Sequence, residues 1–274
     1  MTDLNTKEPI TWCPGCPNFM ILASVKKALG ELIKKGYKQE DFTMVTDIGC
    51  NAKIYDYINI SGIYGLHGRA LATAFGITLG NPNLHVLAFM GDGGCYSEGM
   101  SHFMHAGRYN SNMTLIVHDN QSFSLTTGQA TGTSQQGFKT KAEPLGEFNK
   151  PLNPVKIALA ADFSFVARCN ARDIEHTAEI LEKAIKHKGF SFVEIIQDCI
   201  IFNPEINNKD SLMYKVKDNS DKKTAEKLVE EWDYNGKSGK IPLGVIYQKE
   251  RLTLEDEWPQ LKTLRDKKRN WEEK

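Results

Sequence analysis

Cys13 and Cys16 in Trp12-Cys13-Pro14-Gly15-Cys16, Cys50 closing Thr46-Asp47-Ile48-Gly49-Cys50, and Cys199 in Gln197-Asp198-Cys199-Ile200 lie at expected turns or strand ends. Thiolates converging from these three segments would form the smallest donor shell for a tetrahedral zinc or an iron-sulfur cluster. A second group offers hard oxygens instead. Gly91-Asp92-Gly93-Gly94 opens a helix, so its glycines let the backbone approach an anion while amide donors and the positive dipole end face it. Asn120 follows Gly93 after twenty-six residues, at the end of the next strand. The Asp92 carboxylate, the Asn120 amide oxygen and the Ser122 carbonyl then make a shell suited to magnesium holding a diphosphate. Each piece alone has a plainer reading. Gly-Asp-Gly occurs in ordinary tight turns, and Cys13 with Cys16 also suits a zinc knuckle or a redox pair.

Both groups need a scaffold, and the apolar periodicity supplies one by alternating between helical and strand types. Ile21, Leu22, Val25, Leu29, Leu32 and Ile33 mark a helix ending at Gly36, followed by a strand at 42–45. An Ala-rich helix at 70–79, a strand at 86–90, a helix at 98–109 and a strand at 114–117 come next. After a polar stretch at 125–140 follow a helix at 154–161, a strand at 165–167, a helix at 174–187 and a strand at 192–196. This predicts an α/β fold with a doubly wound, mostly parallel sheet over residues 1–204. From Asn203 onward charged segments break the pattern, so 205–274 reads as a C-terminal extension packing on the domain or on a partner. In such sheets ligands sit outside the carboxyl ends of the strands. Asp47 and Cys50, Asp92 to Gly94, Asp119-Asn120 and Asp198-Cys199 all fall on that one rim.

Composition narrows the function classes. The 34 basic and 34 acidic side chains of the 274 residues cancel, which leaves no electrostatic footprint for nucleic acid. The short run Lys267-Lys268-Arg269 reads as a solvated helix face. No apolar stretch reaches membrane-spanning length, and the start of the chain lacks a signal-peptide pattern, so the expected location is cytoplasmic, with reduced thiols. Cys95 and Cys169 match no ligand position and read as small buried residues. His102 and His105, three apart on one helix, have no third ligand and read as packing or hydrogen-bonding groups. Trp232, Trp258 and Trp271 are candidate anchors onto a surface, although single tryptophans usually just pack.

Taken in order, Trp12 to Cys16, Ile48-Gly49-Cys50, Gly65-Leu66-His67-Gly68-Arg69-Ala70, Gly91-Asp92-Gly93, His105-Ala106, Asp119-Asn120, Leu125-Thr126 and Gly128-Gln129 form a recognisable set. The chain resembles the beta subunit of 2-oxoacid:ferredoxin oxidoreductases, densely over residues 12–204 and loosely beyond. The resemblance implies the thiamine diphosphate-binding fold, in its diphosphate-binding half, and one four-iron, four-sulfur (4Fe-4S) cluster. By motif, Cys13, Cys16, Cys50 and Cys199 would be the cluster ligands, and Asp92, Asn120 and Ser122 would hold Mg2+. Ile48, Gly49, Cys50, Asn51, His67, Gly93, Gly94, Ser124 and Leu125 would line thiamine diphosphate, with His67 reaching a phosphate oxygen and Leu125 lying against the thiazolium ring. The implied reaction oxidises a 2-oxoacid of the pyruvate or 2-oxoglutarate type with coenzyme A to acyl-CoA and carbon dioxide, electrons passing to ferredoxin. No catalytic residue is certain in this chain, since an alpha subunit is expected to bring the activating glutamate and much of the coenzyme A site.

The chain departs from the family pattern in places. Asn51 and Ala52 stand where many relatives have serines, Gly94 where a second Asp is common, Ser122-Phe123-Ser124 where a segment often ends in Tyr-Gly, and Thr127 where some carry Lys or Gly. Two other readings remain open at this point. One is a non-redox thiamine diphosphate decarboxylase or synthase subunit with incidental cysteines; the other is a non-catalytic zinc-binding protein.

Overall fold

The computed structural model describes residues 3–236 and 239–269, side chains 206–208 aside. The chain runs through α1 (Asn18–Lys34), β1 (Phe42–Thr46), β2 (Ser61–Tyr64), α2 (Ala70–Gly80), β3 (His85–Gly91), α3 (Met100–Tyr109) and β4 (Met113–Asp119). It continues through α4 (Pro154–Ala160), β5 (Phe165–Asn170), α5 (Ile174–Lys186), β6 (Ser191–Ile196), β7 (Met213–Lys215), α6 (Lys222–Glu230), β8 (Ile241–Gln248), α7 (Leu254–Glu257) and α8 (Pro259–Asp266). No described helix is long and apolar enough to cross a membrane.

The strands form one sheet in the order β2-β1-β3-β4-β6-β5-β8-β7, every pair parallel except β5 with β8. β4 and β6 are buried along their whole length, as expected of strands covered on both faces. One face packs α1 and α5, through Ile21, Val25, Leu29, Leu181 and Ile185, onto Met44, Leu87, Ile116 and Val193. The other packs α2, α3, α4 and α6, through Ala74, Phe103, Val155 and Val229, onto Val45, Ala88, Leu115 and Phe192. α1 stops where its periodicity does, because Gly36 adopts φ +104°, a left-handed conformation that glycine accepts without strain.

From β1 the chain steps outward to β2 and then returns past β1 to β3. The strand order thus reverses beside β1, and the crevice at the carboxyl ends of β1 and β3 is the place where a doubly wound sheet accepts a ligand.

Three features differ from the sequence expectation. The helix beginning at Glu98 is preceded by a π-helical turn over Gly93–Glu98, and α3 itself starts at Met100. β2 is a short edge strand, largely exposed, and too brief to carry an alternation signal. Beyond residue 204 the chain adds β7 and β8 to the same sheet, so this part completes the domain's own core. Trp232 is accordingly interior: it stacks on Tyr234 at 4.0 Å between centroids, with the fully buried Arg168 guanidinium 5.1 Å from its ring. Trp258 is half exposed, and Trp271 lies outside the described residues.

Candidate functional site

The reversal point holds a cleft walled by the loops after β1, β2, β3, β4 and β6. All nine residues expected to line a cofactor are on its walls: Ile48, Gly49, Cys50, Asn51, His67, Gly93, Gly94, Ser124 and Leu125. Asp92, Asn120 and Ser122 line it too. Strand ends explain the convergence, since β1, β3 and β4 are adjacent and parallel and end at one rim.

Asp92 is 1% exposed, and its partners are all uncharged. Thr131 donates to its Oδ2 at 2.5 Å, Thr133 lies 3.2 Å from the same oxygen, and the Asn120 N–H donates to Oδ1 at 3.4 Å. Burial raises its pKa from 3.8 to about 6, against the lowering effect of these hydrogen bonds. Asp119, behind it, is held well above the usual carboxylate range by burial, with the charges of Asp92 and Glu194 adding to the effect. An ionised Asp92 in so dry a place carries a charge that a divalent cation would offset. The Asn120 Oδ1 accepts from the Ser122 N–H and hydroxyl, each at 3.1 Å, which fixes the carboxamide beside Asp92.

The two glycines after Asp92 leave no room for side chains. A Cβ at Gly93 would lie 2.2 Å from the Phe123 ring, and one at Gly94 would lie 1.6 Å from Asp47 Oδ2. Asp47 is buried, accepts the Gly68 N–H at 2.7 Å through Oδ1, and leaves Oδ2 without a partner. Its pKa is pushed up to about 6 by burial, against the opposing pull of His67 and the Gly68 and Ile48 amides. Asp47 thereby holds the loop that carries His67, whose Nδ1 contacts Glu98.

Sulfur chemistry lies next to this cleft. The Cys16 thiol is pushed up to about 11, chiefly by burial, and the neighbouring Cys50, Cys199 and Cys13 push it further. Burial also raises Cys50, with Cys199 and Cys13 contributing in the same direction. Cys16 thus feels the other three cysteines expected as ligands, and Cys50 feels Cys13 and Cys199, while Cys95 and Cys169 are fully buried elsewhere in the core. Backbone amides point at two of the sulfurs: Asn18 donates to Cys16, and Phe202 donates to Cys199 at 3.4 Å. Trp12 Nε1 donates to the Cys50 carbonyl at 2.7 Å and ties the first cysteine loop to the second. Among the described residues, no group of three or more His, Cys, Asp or Glu side chains could hold a metal ion as the side chains stand.

Several residues of the site escape sequence reasoning. Thr131 and Thr133 lie in the polar stretch after β4 and fold back onto Asp92, while Phe123, Thr126, His118 and Gln197 complete the cleft wall. For His118 and Gln197 the available signal was position, at or just past the carboxyl ends of β4 and β6. His102 and His105 serve as anticipated: His102 Nε2 is 3.3 Å from Arg69, and His105 stacks on Tyr109.

Comparison with known proteins agrees with this fold. Residues 47–195 match the family of the thiamine pyrophosphate enzyme, C-terminal TPP binding domain. The 2-oxoacid:ferredoxin oxidoreductase subunit beta of Saccharolobus solfataricus is 39% identical over 256 residues, covering 88% of this chain and 83% of that one. The 2-oxoglutarate synthase subunit KorB of Archaeoglobus fulgidus is 39% identical over 191 residues, 70% of each chain. Among solved structures, a 2-oxoglutarate:ferredoxin oxidoreductase from Magnetococcus marinus, with 2-oxoglutarate, coenzyme A and succinyl-CoA bound, superposes with a TM-score of 0.88 at 31% identity. That match covers 98% of this chain and 90% of the other. The thiamine pyrophosphate-binding domain, the sheet and the similarity over most of the chain make this a member of the 2-oxoacid:ferredoxin oxidoreductase beta-subunit family, an oxidoreductase subunit that works with a partner chain.

Proposed function

We propose that the cleft holds the diphosphate end of thiamine diphosphate through Mg2+, with Asp92, Asn120 and the Ser122 carbonyl as its protein ligands, and that Cys13, Cys16, Cys50 and Cys199 hold a 4Fe-4S cluster. The observation that carries the first half is Asp92, a buried carboxylate at the cleft with only uncharged partners. The electrostatic influence of the other three thiols on Cys16 and the amides aimed at Cys16 and Cys199 support the second, because N–H groups directed at sulfur are a feature of cluster cradles, and the side chains as they stand would have to close around the cluster.

Thiamine diphosphate supplies, when bound, the nucleophilic carbon and electron sink needed to decarboxylate a 2-oxoacid. The chain's own residues do the holding. Gly93 and Gly94 keep the backbone bare at the anion, Asp47 fixes the loop that places His67, and the Asn51 carboxamide, turned so that its oxygen faces the Gly91 N–H, would accept from it at 3.1 Å. Leu125, nearly half exposed at the rim, is an apolar surface for a ring to lie on. Cys50 sits between Gly49 and Asn51, both on the cleft wall, so one short loop serves cofactor and sulfur set together.

The function is the beta-subunit share of oxidising a 2-oxoacid, pyruvate or 2-oxoglutarate in type, with coenzyme A to acyl-CoA and carbon dioxide, the electrons leaving through the cluster to ferredoxin. The alpha subunit would bring the pyrimidine-binding half and the activating glutamate, and the thiol set would be kept reduced in the cytoplasm. The test is anaerobic purification of the two-chain complex, with iron analysis and calorimetric titration of thiamine diphosphate with and without Mg2+. About four irons per beta chain and Mg2+-dependent binding that is lost in Asp92→Ala are expected; an iron-free complex with full ferredoxin-linked turnover would overturn the cluster assignment.

A further inference from the structure

Two side chains in the cleft wall carry an unused acceptor and take no part in the reading above. His118, 1% exposed, is in β4, and its Nδ1 lies 2.9 Å from Asn18 Oδ1. With the Asn18 amide in this orientation its oxygen can only accept, which puts the proton on Nδ1 and leaves Nε2 as a lone pair. Nε2 is buried and meets no partner. Gln197, 3% exposed, follows β6, the strand paired with β4, and its Oε1 is likewise buried without a partner. Both residues line the cleft. Buried acceptors are normally satisfied, so two left open at one cleft ask for a donor that arrives with the ligand or with a bound water.

The other end of His118 leads to sulfur. Asn18, which holds the ring through its side chain, donates its backbone N–H to Cys16. The Phe89 ring meets the imidazole edge-on, at 6.2 Å and 79°, and limits its rotation. One short chain of contacts therefore runs from the cleft through His118 and Asn18 to a member of the cysteine set.

We propose that His118, held by Asn18, is a positioning residue whose Nε2 accepts a hydrogen bond from an N–H or O–H group of the ligand in the cleft and links that contact to Cys16, with Gln197 Oε1 as a second open acceptor on the same cleft wall. The inference rests on the reading of the cleft and the cysteines given above. A fully ionised diphosphate offers no donor, so the group that meets Nε2 belongs to another part of the bound molecule.

The experiment uses the complex of this chain with its alpha subunit, in the parent form and with His118→Leu or His118→Gln. Calorimetry gives the Kd of thiamine diphosphate in Mg2+, and a redox titration followed by electron paramagnetic resonance gives the cluster midpoint potential with and without the cofactor. In H118L the Kd is expected to rise about fivefold, the worth of one net hydrogen bond, and the potential change that cofactor binding causes in the parent is expected to vanish. Glutamine can donate to Asn18 and still offer an oxygen, so H118Q should restore both. An unchanged Kd in H118L, a potential response kept in H118L or absent from the parent, or equal losses in H118L and H118Q would overturn the proposal; the first of these would mark a bridging water as the donor. A complex without iron overturns the cluster reading instead, and the Kd comparison then decides the role of His118.

Discussion

Gly94 and Asp47 share a space that admits only one of them: a Cβ at 94 would stand 1.6 Å from Asp47 Oδ2. The carboxylate cannot yield easily, because its other oxygen anchors Gly68 at 2.7 Å. Gly94→Ala should therefore destabilise the chain by about 1–3 kcal/mol, the usual effect of overpacking, and displace the His67 loop. Urea unfolding measures the first effect and Mg2+-dependent thiamine diphosphate affinity the second. A variant as stable as the parent would show that the Asp47 side chain rotates away freely.

Asp92 gives a pH signature with a definite sign. Its pKa is raised in the fold from 3.8 to about 6, so between those values the folded chain keeps a proton that the unfolded chain has released. Its contribution to stability is full below the unfolded pKa and declines as pH rises through about 6. His118 and His187, whose pKa values burial lowers to about 3 and about 4, act in the opposite direction and lose stability on acidification. Comparison with Asp92→Asn isolates the carboxylate: going from pH 7 to pH 5, the cofactor-free parent should gain stability relative to the variant. Parallel pH profiles for the two would contradict the assignment.

Cys50 separates the two halves of the proposed site. Cys50→Ala should lower iron content and abolish ferredoxin reduction, while the Asp92 side of the cleft continues to bind Mg2+ with thiamine diphosphate. Iron analysis and calorimetry on the same preparation provide the check, and full ferredoxin-linked activity in the variant would refute a ligand role for Cys50.

The interior ion pair offers a test of the fold. Arg168 and Glu194 are fully buried with Nε 2.8 Å from Oε2, and the Tyr234 hydroxyl bridges them, 2.7 Å from the guanidinium and 2.5 Å from the carboxylate. Removing one partner strands the other, so Arg168→Met should cost about 3–5 kcal/mol. Adding Glu194→Gln to that variant should recover part of the loss. Urea midpoints of the three proteins decide the matter, and a double variant no better than the single one would show that the aromatic sandwich, rather than the charge pair, is the main contributor.

The cleft was legible in the sequence because its residues follow strands with strong apolar signals. Asp92 and Asn120 are fixed by β3 and β4, and Ile48 to Asn51 by β1, so naming the strand ends names the rim. Thr131 and Thr133 were not legible, since the return of an irregular loop onto Asp92 depends on side-chain hydrogen bonds with no periodic trace. β8 was hidden for another reason. Its apolar run, Ile241 to Tyr247, stands alone between charged segments, and only antiparallel pairing with β5 gives it a place. Asp47 was visible as a residue at a strand end, but its task depends on Gly68 and Gly94 arriving from two other loops.

The late arrival of β8 also sets an order of events during synthesis. Until the ribosome reaches Ile241, β5 has a bare outer edge, although every strand around the cofactor cleft has already emerged. An unpaired edge of apolar strand is a template for pairing with other chains. Truncation before Ile241 should therefore yield an aggregating nascent product rather than a smaller working domain, which makes β8 a quality checkpoint for a cleft that it does not line.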